Sequence, residues 1–144
     1  MGAKKDGTVT ALSQEILSDA GAYLSHSGSI SAVNMQATLG LLRSPNLYGK
    51  ATVVYTNNPT SSGMRGYGNP EGQFILQQVI DMAAEKVGMD PLEFRLKNAK
   101  GVGEPSMWEP VMLDSCNLDQ CIKQGAERIG WKGKWQGWGK KKQG

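Results

Sequence analysis

The sequence predicts an α+β fold, with a few mostly antiparallel strands and three or four helices. Three observations carry that prediction. Residues 8–12 and 50–56 are rich in β-branched and aromatic side chains, as strands are. Apolar residues recur at helical spacing from Ile30 to Leu41 and from Leu76 to Val87. Helix-start signals stand at Asp90 and at Asn117. At 144 residues the chain has the length of one domain.

Asp6-Gly7 reads as a hairpin turn feeding a strand at 8–12. Only five residues precede the turn, so most of a first hairpin strand is missing and the chain reads as a piece of something larger. The strand pattern resumes at Ile16 and Leu17 and is broken by Ser18-Asp19-Ala20-Gly21. Ile30, Val33, Ala37 and Leu41 then predict a helix over about 29–42, with Ser29 as its N-cap. Arg43-Ser44-Pro45-Asn46 closes it, because the residue before proline is pushed out of the α region. The strand at 50–56 ends at Asn57-Asn58-Pro59-Thr60.

Leu76, Val79, Ile80, Ala83 and Val87 form one face of an amphipathic helix, with Gly88 at its C′ position. Asp90-Pro91-Leu92-Glu93 starts a short helix, with Asp at N-cap, Pro at N1 and Glu at N3. Residues 98–115 show no periodicity, which counts against a self-contained fold, and the Met107-Trp108 pair calls for a surface to cover it. Asn117 caps a further helix with Gln120 at N3, and Leu118, Cys121, Ile122, Gly125 and Ile129 line one face before Gly130 ends it. Cys121 is therefore expected in the core. Beyond it, Trp131, Trp135 and Trp138 alternate with glycine and lysine, too many glycines for a helix. Packing of these tryptophans on a neighbouring domain is favoured over stacking on nucleic acid or a membrane surface.

The net charge of +3 hides an asymmetry: five lysines fall in the last fourteen residues, and the rest carries eleven basic and thirteen acidic residues. The body thus has no basic footprint for nucleic acid. No apolar run approaches the ~18 residues of a membrane span, and no leader is visible, so a cytoplasmic location is expected. Cys116 and Cys121 lack C-x-x-C spacing, and with His26 as the single histidine no metal-ligand cluster is available. Reduced structural thiols are expected.

Residues 61–72, S-S-G-M-R-G-Y-G-N-P-E-G, hold four glycines, one proline and one arginine. Glycine permits positive φ and close approach to a ligand, and a helix start offers free N–H groups. Such a loop suits a polyanion, with Arg65 as its charged centre. It departs from G-x-G-x-x-G, because Glu71 takes the third glycine position and Pro70 disturbs the helix start, and it is no Walker A loop. A structural turn with Arg65 paired to a local acid is the alternative.

The run T-S-S-G-M-R-G-Y-G-N-P-E-G, then a helix, then G-M-D-P-L-E-F-R-L-K-N, closely resembles the molybdenum-cofactor-binding large subunit of the xanthine dehydrogenase and aldehyde oxidase family. D-G-T-V-T-A-L, D-A-G-A-Y and P-N-x-Y-G-K resemble it too, in the right order. The resemblance implies that residues 1–130 are part of a larger molybdopterin-binding domain with its cofactor loop at 61–72, and residues 131–144 a linker or tail. It implies a molybdopterin-type molybdenum cofactor whose metal is held by the pterin dithiolene, so the protein supplies no metal ligand. Gly63, Met64, Arg65 and Gly66 match the cofactor contacts, and Tyr67 the aromatic residue beside the substrate. Counted back without gaps, Val33 stands where purine-hydroxylating members carry arginine, which argues against xanthine.

The family's catalytic glutamate lies in a region absent from this sequence, so no catalytic residue is assigned. The implied function is that of a cofactor-binding segment, incomplete alone, of an oxidoreductase that hydroxylates an aldehyde or N-heterocycle-type carbon with water-derived oxygen. Implied partners are the remainder of the molybdenum subunit, iron–sulfur and flavin (FAD) subunits and a small-molecule substrate, with neither nucleic acid nor membrane. The alternative is a non-catalytic structural or interaction module on the same fold.

Overall fold

The computed structural model describes residues 1–107 and 111–140. A reversal at Asp6-Gly7 pairs strand β1 (Gly2–Ala3) antiparallel with strand β2 (Val9–Gly21). The Asp6 carboxylate accepts from the Thr8 N–H and hydroxyl, both at 3.0 Å, and Gly7 takes φ +82°. The two-residue β1 is the first strand that the turn implies. β2 then continues through Ser18-Asp19-Ala20-Gly21, where the sequence predicts a break, with only a shift in the pairing between Asp19 and Gly21 and φ +70° at Gly21. Strand β3 (Leu47–Tyr55) holds it extended, pairing from Leu12↔Leu47 to Asp19↔Val54. A nine-residue partner strand overrides local turn propensity.

The second correction concerns strand sense. β2 and β3 are parallel, so most of the sheet is parallel rather than antiparallel; the order is β1-β2-β3. Parallel neighbours need a crossover, and helix α1 (Ser27–Leu39) supplies it. α1 starts two residues before the predicted helix and ends three before it, with His26 rather than Ser29 at N-cap. Its buried residues include the small polar Ser27, Ser31 and Thr38. The Ser31 and Thr38 hydroxyls donate to the Ser27 and Asn34 carbonyls, both at 2.9 Å, and the Ser27 hydroxyl meets that of Ser61.

α1 packs on the sheet with one side and on helix α2 (Asn69–Val87) with the other. Contact with α2 is close at Gly72, where a β-carbon would stand 2.8 Å from the Asn34 carbonyl oxygen. Leu76, Ile80 and Ala84 of α2 join Val9, Leu12, Leu39, Leu42 and Phe94 in the buried core. Gly88 ends α2 with φ +73°, its N–H reaching the Ala84 and Glu85 carbonyls, as a C-terminal glycine should.

Helix α3 (Pro91–Asn98) explains physically why D-P-L-E-F-R-L-K-N is a signature. Asp90 caps it, accepting from the Leu92 N–H at 2.7 Å. Arg95 ties α3 to α2 through the Gln77 amide oxygen at 2.9 Å and the Asp81 carboxylate at 2.8 Å. Asn98, 2% exposed, clamps the N-terminal strand: its Oδ1 accepts from the Val9 N–H at 2.9 Å and its Nδ2 donates to the Gly7 and Phe94 carbonyls at 2.8 Å.

The segment after α3 is irregular, with isolated bridges at Leu42↔Ala99 and Pro105↔Met112 and an Arg43–Glu104 ion pair at 2.6 Å. Met107 packs against the core, whereas Trp108 lies outside the described residues. Helix α4 (Leu118–Arg128) buries none of its residues. Cys121 is exposed, against the expected core position, because the apolar face of α4 borders an open groove of about 460 Å³ rather than a packed neighbour. Asn117 is the N-cap residue but makes no side-chain capping bond.

The tryptophan segment is folded onto this groove and contains a single helical turn, α5 (Trp131–Lys134), despite its glycines. Trp131 Nε1 donates to the Asp90 carboxylate at 3.1 Å, and Trp138 Nε1 donates to the Met89 carbonyl at 2.7 Å. Trp135 stacks on Trp131 and meets Trp138 edge-on. The described residues thus form one mixed three-stranded sheet, four helices and one further turn, an α+β arrangement. Among them, no helix is long and apolar enough to cross a membrane.

Candidate functional site

The loop between β3 and α2 is fixed at both ends and bare in the middle. At its start, the Ser61 N–H donates to the Ala20 carbonyl at 3.1 Å, and the Ser61 and Ser27 hydroxyls meet at 2.6 Å. The approach to it is held by Asp19, whose carboxylate accepts from the Gly21 N–H, the Thr56 hydroxyl and the Asn58 amide at 2.6–2.7 Å. The Thr56 and Asn58 hydrogen bonds, followed by that of Gly21, hold the Asp19 carboxyl below the usual carboxylate range.

At the loop's end, three consecutive residues take left-handed backbone: Gly66 at φ +91°, Tyr67 at +52° and Gly68 at +93°. Tyr67 N–H closes a turn on the Met64 carbonyl at 2.8 Å, and Asn69 returns to the Gly66 carbonyl through its N–H and its side chain. Close packing as well as φ demands the glycines. A β-carbon on Gly63 would stand 2.6 Å from the Tyr67 ring, and one on Gly68 would stand 2.5 Å from the Ile30 carbonyl oxygen. Pro70 does not disturb the helix start; it occupies the first turn of α2, where no N–H is needed.

Between these anchors Gly63, Met64, Arg65 and Gly66 project outward. Met64 is 81% exposed, and Arg65 is exposed and takes part in none of the ion pairs among the described residues. The turn in which Arg65 neutralises a local acid is therefore not formed. Among the described residues, the backbone N–H groups of Gly63, Met64, Arg65 and Gly66 have no acceptor either. Four free N–H donors and a guanidinium beside an uncapped helix start make a donor set for an anionic group with several oxygens. Among the described residues no cluster of three His, Cys, Asp or Glu side chains is placed to hold a metal. The exposed N–H groups and the Arg65 guanidinium thus fit an anionic cofactor.

Tyr67 is half-buried and lies back against α1, its phenol oxygen bonded to His26 Nδ1 and to the Ser29 hydroxyl. Val33, also half-buried, lies one helical turn beyond Ser29 and so on the same side of α1. The side of α1 on which Val33 stands is thus the side against which Tyr67 lies. His26 and Ser29 escape sequence reasoning, because a 41-residue and a 38-residue separation leave no local pattern. Gln14 escapes it as well: buried on β2, it donates to Asn34 Oδ1 at 2.7 Å, while its Oε1 has no partner among the described residues.

With this geometry in place, comparison with known proteins is informative. The model of the molybdopterin cofactor-binding domain family matches residues 1–99. The chain is 36% identical over 132 residues to the xanthine dehydrogenase molybdenum-binding subunit of Escherichia coli O157:H7, covering 91% of this chain and 17% of that relative. It is 32% identical over 127 residues to the nicotinate dehydrogenase large molybdopterin subunit of Eubacterium barkeri, covering 88% of this chain and 30% of that relative. Among solved structures, the aldehyde oxidoreductase from Desulfovibrio gigas superposes with a TM-score of 0.77 at 36% identity, over 90% of this chain and 14% of that one. The chain therefore spans less than a third of the length of each of these proteins.

Proposed function

Because the chain belongs to the molybdopterin cofactor-binding domain family, we propose that it is the segment of a molybdenum hydroxylase that grips the cofactor through Gly63, Met64, Arg65 and Gly66. One observation carries the proposal: these four residues stand exposed, with unpaired N–H groups and an unpaired guanidinium, on a scaffold anchored at both ends. When bound, the cofactor supplies the redox centre at which a substrate carbon is hydroxylated with oxygen derived from water. The chain's own part is to bind and orient. Arg65 neutralises anionic oxygens with its planar donor fork, and the neighbouring N–H groups complete the cradle.

Tyr67 and Val33 form one wall of the substrate side. Val33 offers neither charge nor hydrogen bond, so a purine held by an arginine is disfavoured there. An aldehyde or an N-heterocycle other than a purine is the proposed substrate class; relatives are named for aldehyde and nicotinate as well as for xanthine. No residue of the site is a general base, which the rest of a larger subunit supplies. Iron–sulfur and flavin subunits are the proposed electron acceptors, in the cytoplasm. Residues 1–130 act as the cofactor-binding part, and the segment from Trp131 to Trp138 packs back on it through Asp90 and Met89.

One observation favours a second reading, a non-catalytic module. Gly63, Gly66 and Gly68 are each required by packing against Tyr67, Pro70 and Ile30, so the loop's shape needs no ligand to explain it. Molybdenum content separates the two. The chain is purified in assembly with its partner polypeptides, and metal is measured by mass spectrometry. Stoichiometric molybdenum that falls severalfold in Arg65→Ala is expected; an intact assembly without molybdenum would establish the second reading instead.

A further inference from the structure

Two non-glycine residues among those described have positive φ: Ser25 at +42° and Tyr67 at +52°. They are remote in sequence yet flank a single contact, since Ser25 precedes His26 and the His26 ring bonds the Tyr67 phenol. A residue with a β-carbon is disfavoured in this conformation and persists there only where its surroundings over-determine it. Strain on both sides of one contact marks that contact as the restraint.

The three side chains form one hydrogen-bonded chain. The Ser29 hydroxyl lies 3.0 Å from the His26 carbonyl and 2.7 Å from the Tyr67 phenol oxygen, and the phenol oxygen also meets His26 Nδ1. The Tyr67 oxygen is thus held from two sides, by the ring and by the hydroxyl of the first turn of α1. The two rings meet edge-on, their centroids 5.7 Å apart at 85°. Tyr67 in turn shapes the loop, because its ring covers Gly63 and its N–H closes the turn on Met64.

We propose that His26 and Ser29 are positioning residues of the loop, a relay that orients Tyr67 and through it places Met64, Arg65 and Gly66. The relay also decides what Tyr67 can offer to a ligand: its phenol oxygen is turned back to His26 and Ser29, so it presents the ring surface instead. What that ligand is rests on the reading of the loop as a cofactor contact; the relay itself does not.

The test uses the 144-residue chain. Amide hydrogen exchange is read at Tyr67 and Asn69, which close the loop turns, with Ile80 and Ala84 as controls inside α2. Tyr67→Phe, Ser29→Ala and His26→Gln are each expected to speed exchange at Tyr67 and Asn69 about fivefold, the worth of one hydrogen bond, with the controls unmoved. His26→Asn, whose amide nitrogen reaches the Nδ1 position, is expected to retain slow exchange. Unchanged exchange in all variants, or equal acceleration at the controls, would each overturn the proposal. Loss of molybdenum in Arg65→Ala assemblies is read separately, so the cofactor reading and the relay fail independently.

Discussion

Asn98→Ala removes three hydrogen bonds at once, those to the Val9 N–H and to the Gly7 and Phe94 carbonyls. Two of them span 89 and 91 residues, so they fasten the N-terminal hairpin to α3 rather than stabilise a local turn. At about 1 kcal/mol for each bond, and with a buried Val9 N–H left without a partner, the expected cost is roughly 3–4 kcal/mol. Urea unfolding of the chain, followed by tryptophan fluorescence, measures it. With a slope of about 2 kcal/mol/M the midpoint should fall by roughly 1.5–2 M. Asn98→Asp sharpens the test: it keeps the acceptor for Val9 but turns a carboxylate towards two carbonyls. It should therefore be about as destabilising at pH 7 and partly recover as the introduced carboxyl is protonated. A midpoint shift below about 0.5 M for Asn98→Ala would refute the reasoning.

Three further outcomes are expected. Asp6, held at about 2 first by the Thr8 N–H bond, and Asp19, lowered first by the Thr56 hydroxyl, both have depressed folded values. Their contribution is full above the ordinary Asp range and is lost as pH falls towards 2; the urea midpoint should drop across that window, less steeply in Asp19→Asn, and equal slopes would count against it. Asp90→Ala removes the α3 cap and the acceptor of Trp131 Nε1, costing about 1–2 kcal/mol and shifting tryptophan emission to the red; unshifted emission would reject the Asp90–Trp131 contact. Gly68→Ala places a β-carbon 2.5 Å from the Ile30 carbonyl oxygen at φ +93°, and a loss of at least ~2 kcal/mol is expected in thermal unfolding.

Sequence legibility followed the reach of the interactions. α2 and α3 were readable because their determinants are local: an apolar stripe, a C-terminal glycine, and Asp90-Pro91 at a helix start. β2 was misread at Ser18-Asp19-Ala20-Gly21 because the deciding partner, β3, lies over thirty residues away. α4 has the stripe of a buried helix, yet its apolar side borders a groove, since periodicity reports an apolar face and not what covers it. The candidate site divides in the same way. Arg65 and the glycines around it announce themselves by composition, whereas His26 and Ser29 have only ordinary neighbours.

By itself the sequence determined the glycine-rich, arginine-centred make-up of the loop, the capped helices and the family likeness, because residue type and short spacing encode charge, backbone freedom and capping directly. Tertiary structure alone decided three things: the parallel pairing of β2 with β3, the Asn98 clamp on the hairpin, and the backward fold of Tyr67 onto His26 and Ser29. Each joins residues more than thirty positions apart, and such contacts depend on where the core has already placed the backbone.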